Sequence, residues 1–135
     1  MIPQEVGIAL CNMAYRVPDR EICGFVSKDW KIFPITNTAE NGKQFYMDEG
    51  ELLEIMQKRW KDLAIVYHSH PGGHPFPSDL DETFSYNRHY RYWIIAGHRI
   101  YEWRFTHDGP RCVDESGTEQ GEGVATPVFT SPEAI

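Results

Sequence analysis

Cysteine, clustered positive charge and long apolar runs are all scarce in this 135-residue sequence, and each shortage removes a class of function. No apolar run approaches the roughly 20 residues that a membrane-crossing helix needs. The first residues carry no basic segment followed by a long apolar core, so neither a membrane partner nor a secretory signal is expected. The three cysteines, Cys11, Cys23 and Cys112, are odd in number and none sits at Cys-x-x-Cys spacing. They read as reduced thiols in a cytoplasmic protein, with Cys23 a small buried side chain rather than a ligand. Lys and Arg total 13 against 20 Asp and Glu, a net charge of −7 with no dense basic block, so nucleic acid is not an expected partner. The His-x-Glu and Pro-Cys-x-x-Cys signatures of zinc deaminases are missing, and there is no internal repeat.

What is present is the material of one globular domain. Four Trp, seven Tyr and seven Phe in a composition that is 41% hydrophobic suffice for a core, and the length leaves no room for a second domain of ordinary size. Val6, Leu10, Met13 and Val17, with Ile8, Ala9 and Ala14 between them, recur at helical spacing and predict a helix over 3–16 with Pro3 in its first turn. Val17-Pro18-Asp19 stops it. Strands are expected at 21–26 and 30–36, the second at an edge or irregular position because of Pro34. A polar stretch with an Asn-Gly turn signal and a short extended segment at 45–47 follow. Asp48, with Glu51 three residues on, caps a helix predicted to reach Lys61 on the strength of Leu52, Leu53, Ile55, Met56 and Trp60.

The unbroken apolar run from Leu63 to Tyr67 predicts a strand covered on both faces. Beyond it the spacing predicts a short helix over 78–86 and two strands at 92–96 and 100–105, joined at Gly97-His98-Arg99. In the last of these Tyr101, Trp103 and Phe105 alternate with Glu102 and Arg104, which assigns one buried and one wet face and a place near a sheet edge. From residue 107 the chain turns polar, and 114–126 is rich in Gly, Glu, Ser and Thr. The organisation expected is a domain at 1–106 and an acidic tail at 107–135 in which Val128 and Phe129 could dock on the domain or on a partner.

The chemistry gathers at the end of the interior strand, in Tyr67-His68-Ser69-His70-Pro71. Residues two apart on a strand share a face, so His68 and His70 point together. Ten residues separate His70 from Asp81, including a Gly- and Pro-rich loop that must turn, and Ser78 stands three positions before Asp81. Two nitrogens and a carboxylate oxygen are a zinc ligand set that leaves a fourth position open. The blander alternatives are two partly exposed surface histidines and a capping box at Ser78-x-x-Asp81. Capping explains neither the histidines nor the loop. His74 in that loop reads as solvated rather than as a ligand. Upstream, Glu21 leads an otherwise apolar strand, and its alternatives are a solvent-facing strand end or the carboxylate that moves a proton at a metal site.

His68-x-His70-Pro71, six residues, then Ser78-x-x-Asp81, with Glu21-x-x-Gly24 upstream, resembles the JAMM motif of the MPN (JAB, Mov34) metallopeptidases, at every signature position. The resemblance covers residues 1 to 106 in element order. It implies an α/β fold, a three-layer sandwich around a mixed β-sheet of cytidine-deaminase-like architecture. It further implies Zn2+ held by His68, His70 and Asp81, with Glu21 as proton carrier and Ser78 as donor to the oxyanion. The expected activity is hydrolysis of a peptide or isopeptide bond; the alternatives are a zinc-binding JAB-like scaffold with little turnover, as in phage tail assembly, and a zinc hydrolase of another amide-like substrate. The chain has little room for the insertions of ubiquitin-cleaving members and looks more like the compact bacterial and phage ones. A protein or peptide substrate follows, a ubiquitin-like protein or a phage tail component among the options, in the cytoplasm of a bacterium or phage-infected host.

Overall fold

The computed structural model describes residues 2–41, 44–77, 90–106 and 108–116. The expected helix at 78–86, with Ser78 and Asp81, and the tail from 117 onward lie outside the described residues. Helix α1 (Gln4–Tyr15) starts one residue later than its spacing suggests, with Pro3 as N-cap and the Pro3 carbonyl accepting from Gly7 N at 3.0 Å. Its Val6, Ala9 and Leu10 are buried, Leu10 completely. Helix α2 (Glu49–Arg59) has the predicted cap, Asp48 accepting from Glu51 N at 2.9 Å, and Glu51 in turn accepts from Thr36 N and Oγ1. Glu51 N is one of the first-turn N–H groups that have no partner within the helix.

Six strands form one sheet in the order β2-β1-β3-β4-β5-β6: β1 (Cys23–Ser27), β2 (Ile32–Ile35), β3 (Leu63–Ser69), β4 (Arg91–Ala96), β5 (Arg99–Thr106) and β6 (Gly109–Ser116). Among the described residues only β3 and β4 run parallel, so the sheet is mixed. β3 is interior, as its unbroken apolar run predicts, and β2 with Pro34 is an edge. Ile2, Val6 and Leu10 pack with Val26, Ile65, Tyr67 and Trp93 on one face; Ile55, Leu52 and Met56 of α2 pack with Cys23 and Phe25 on the other. That is the expected three-layer α/β sandwich. Gly24 of β1 is required sterically, since a Cβ there would collide with the Phe33 carbonyl and the Tyr67 ring.

Three expectations need correction. Glu21 and Ile22 precede β1 instead of opening it. Glu102 is buried, 4% exposed, so β5 has no simple wet face; Arg91 donates to it from Nε (3.0 Å) and Nη2 (2.7 Å), and Trp93 Nε1 donates at 3.0 Å, which makes burial tolerable. A sixth strand, β6, pairs with β5 and carries the sheet to Ser116, beyond the boundary expected at 106. Its described side chains are mostly exposed, so it shows no apolar pattern in sequence.

Candidate metal centre

The register of β1 on β3 brings the site together. Cys23 pairs with His68, and one step further Ser69 N donates to Ile22 O (3.0 Å) while Ile22 N donates to Ser69 Oγ (2.9 Å). Because the strands are antiparallel, the start of β1 lies at the finishing end of β3, and the next step sets Glu21 against His70. Paired residues share a face, so Glu21, His68 and His70 converge on the α2 side. Glu21, His68 and His70 are 5%, 3% and 5% exposed, and one ligating atom from each lies within 4.8 Å of the others. The His70 N–H donates to Ile95 O of β4 at 2.9 Å, which anchors the site on the parallel pair.

Several contacts hold these side chains. The ring of Phe45 stacks on His68 with centroids 4.5 Å apart and 21° between planes. The loop that carries Phe45 closes around the Asn37 side chain, which donates to Glu21 O and Gln44 O, both at 2.9 Å. The same side chain accepts from Ala39 N (2.9 Å) and Tyr46 N (3.0 Å). Arg20 Nη2 adds a bond to Ala39 O at 2.6 Å. Asn37 thus ties the Glu21 backbone to the segment covering His68. Sequence reading did not single it out; an Asn in a turn-rich stretch is too common a signal to reveal a bond to residue 21.

Cys23 sits beside His68 yet outside the metal-ligating group, with its Sγ–H donating to Ile35 O at 3.5 Å. Burial, then the nearby charges of Glu21 and Glu51, push its thiol up to about 12. It stays a neutral thiol, as expected of a packing residue. His74 is exposed and outside the group as well, although its ring lies 4.5 Å from that of His70 and its carbonyl contacts His70 Nδ1. Ser78 and Asp81, the remaining candidates, lie outside the described residues.

Two imidazoles and a carboxylate suit a divalent cation, and zinc is among the biological metals that take such a donor set. Neighbouring ligands of one tetrahedral zinc stand about 3.4 Å apart. A set within 4.8 Å therefore needs small side-chain adjustments, or a water between the carboxylate and the ion. The residues fit.

A mixed-sheet sandwich with a buried His-His-Glu cluster at the end of a central strand is the arrangement expected of a JAB-like domain. The family model for prokaryotic homologues of the JAB domain matches residues 3–107, and the chain belongs to that family. Among solved structures, the solution structure of protein DSY2949 from Desulfitobacterium hafniense is similar with a TM-score of 0.60 at 23% identity, covering 79% of this chain and 82% of that one. A solution structure of a protein from Salinibacter ruber aligns over the same shares, also at 23% identity, with a TM-score of 0.46. The likeness to the first is one of fold. No curated protein matches the chain.

Proposed function

We propose that this JAB-domain protein is a zinc-dependent metallopeptidase that hydrolyses a peptide or isopeptide bond, with His68, His70 and Asp81 holding the metal, Glu21 moving the proton and Ser78 assisting. The observation that carries this reading is the convergence of Glu21 with the two histidines, all three buried and within 4.8 Å. In this reading Glu21, which reaches the site from the approach to β1, stands beside the two histidines as the base. Zinc, when bound, supplies a Lewis acid that lowers the pKa of water and polarises the scissile carbonyl.

The rest falls to side chains. Glu21 accepts the proton that the attacking water loses and delivers it to the departing nitrogen, which cannot leave as an amide anion. The C–N bond breaks, the acyl carbon keeps the water oxygen, and the carboxylate returns to its starting state. Burial at the end of β3 keeps bulk water from competing for that proton. Ser78 donates to the oxygen on which negative charge develops. The substrate class is a protein or peptide, with a ubiquitin-like protein and a tail component of a phage as the two candidates that the compact form suggests.

Glu21→Gln tests the reading. Turnover of a peptide library should fall about 10²- to 10⁴-fold with zinc retained. Full activity in that variant would end the glutamate's role, and zinc binding without cleavage in the wild type would favour the scaffold reading.

A further inference from the structure

Among the described residues, three hydrogen bonds hold His70, and the turn after it supplies two of them. Its N–H donates to Ile95 O, and its carbonyl accepts from Gly73 N at 2.9 Å, closing a turn over Pro71 and Gly72. One residue on, the His74 carbonyl stands 3.0 Å from His70 Nδ1. A carbonyl oxygen can only accept, so this contact puts a proton on Nδ1, and in the neutral ring Nε2 then holds the lone pair. To donate from Gly73 N to the His70 backbone and then set the His74 carbonyl against the His70 ring, the chain must reverse at Gly73, where φ is +85°. A Cβ at Gly73 would meet nothing within 4 Å, so the demand for glycine comes from backbone conformation alone. Gly72 is equally open, and its φ is not positive.

We propose that Gly73 is a positioning residue for His70: its left-handed backbone aims the His74 carbonyl at Nδ1, locks the ring in the Nδ1–H tautomer and presents Nε2 to the cation. The inference rests on the reading of His70 as a metal ligand. It makes the Pro71-Gly72-Gly73-His74 loop part of the centre through its main chain, while the His74 imidazole packs on the His70 ring without ligating.

The test compares wild type, Gly72→Ala, Gly73→Ala and Gly73→Asn, all checked for folding by circular dichroism. Nitrogen-15 NMR of the metal-free proteins reads the His70 tautomer, and competition titration reads zinc affinity. Wild type and Gly72→Ala should show Nδ1–H and bind alike. Gly73→Ala should show mixed tautomers and bind zinc about 10- to 100-fold more weakly. Gly73→Asn, whose side chain tolerates left-handed backbone, should recover most of the loss and serves as the reading if the alanine variant does not fold. Wild-type tautomer and affinity in Gly73→Ala overturn the proposal and leave the metal centre standing, and so does a loss in Gly72→Ala as large as in Gly73→Ala. A wild type that binds no zinc overturns the metal reading of His70 and the proposal with it.

Discussion

Two buried polar clusters lie on opposite faces of the same sheet, and they differ in kind. On the α1 face, Glu102 receives two bonds from Arg91 and one from Trp93, with the Arg91 guanidinium also 5.8 Å from the ring centroids of Trp30 and Trp93. Burial would raise the Glu102 carboxyl, but the hydrogen bonds of Arg91 and Trp93 and the Arg91 charge outweigh it and hold the group below the usual carboxylate range. On the α2 face, Glu21, His68 and His70 converge, three residues that can each offer a lone pair and none of which carries a fixed positive charge. The first cluster brings its own cation. The second joins three residue types that ligate metal ions. A buried polar group in a β-sheet is therefore informative only once its partners are named: the same sheet uses one cluster to stabilise itself, and the other is a candidate metal centre.

Breaking the Arg91 cluster should sharpen that contrast most. Arg91→Ala strands the buried Glu102 carboxylate, and urea unfolding should show a loss of about 2 to 3 kcal/mol, less than for a fully interior pair because Arg91 reaches solvent. Zinc stoichiometry should not change; if it fell, the two faces would not be independent. The sign with pH follows from the lowered Glu102 carboxyl. The stability it contributes is complete above its unfolded pKa and is lost as pH falls through the lower folded value, so wild type should lose part of its advantage over Arg91→Ala below about pH 4.

A smaller effect is expected on the other face from Asn37→Ala, which removes four hydrogen bonds of a partly exposed loop, two of them donated by the side chain. Stability should drop by about 1 to 2 kcal/mol. With Glu21 and the Phe45 segment loosened, kcat should fall more than KM rises while zinc remains bound. Loss of zinc would show that Asn37 supports the ligands rather than Glu21.

The smallest effect compares one thiol from each face. Cys11, packed against the α1 core, and Cys23, beside the site, are both pushed up to about 12, Cys11 by burial. A raised folded pKa means that the stabilisation is complete below the ordinary thiol value near 9 and fades as pH rises through 12. Unfolding in chelator should therefore show about 1 kcal/mol lost per thiol near pH 10. At pH 8 iodoacetamide should modify exposed Cys112 and spare the other two; rapid modification of Cys23 would mean that the face over the site opens.

Much of this was legible in the sequence because it rests on local pattern. The i, i+2 spacing of His68 and His70 at the end of an apolar strand placed both on one face, and the unbroken run before them placed that strand inside the sheet. Asp48 and Glu51 announced their helix through capping chemistry, and Pro34 announced an edge. Glu21 could be singled out as an anomaly, but only the β1–β3 register brings it to the histidines, and register is a property of two distant segments. Contacts made by backbone groups, such as the His74 carbonyl on His70 and Asn37 on the Glu21 carbonyl, leave no mark on residue type. Burial of Glu102 escaped the alternation pattern because Arg91, eleven positions away in sequence, is what permits it. Strand β6 escaped because pairing with β5, not an apolar face, defines it.

The central claim is that His68 and His70 hold a cation beside Glu21, and metal analysis of purified protein tests it most directly. Elemental analysis should find about one zinc per wild-type chain, the same in Glu21→Gln, and close to none in His70→Ala. A folded wild-type protein that neither carries zinc nor takes it up on titration would contradict the account.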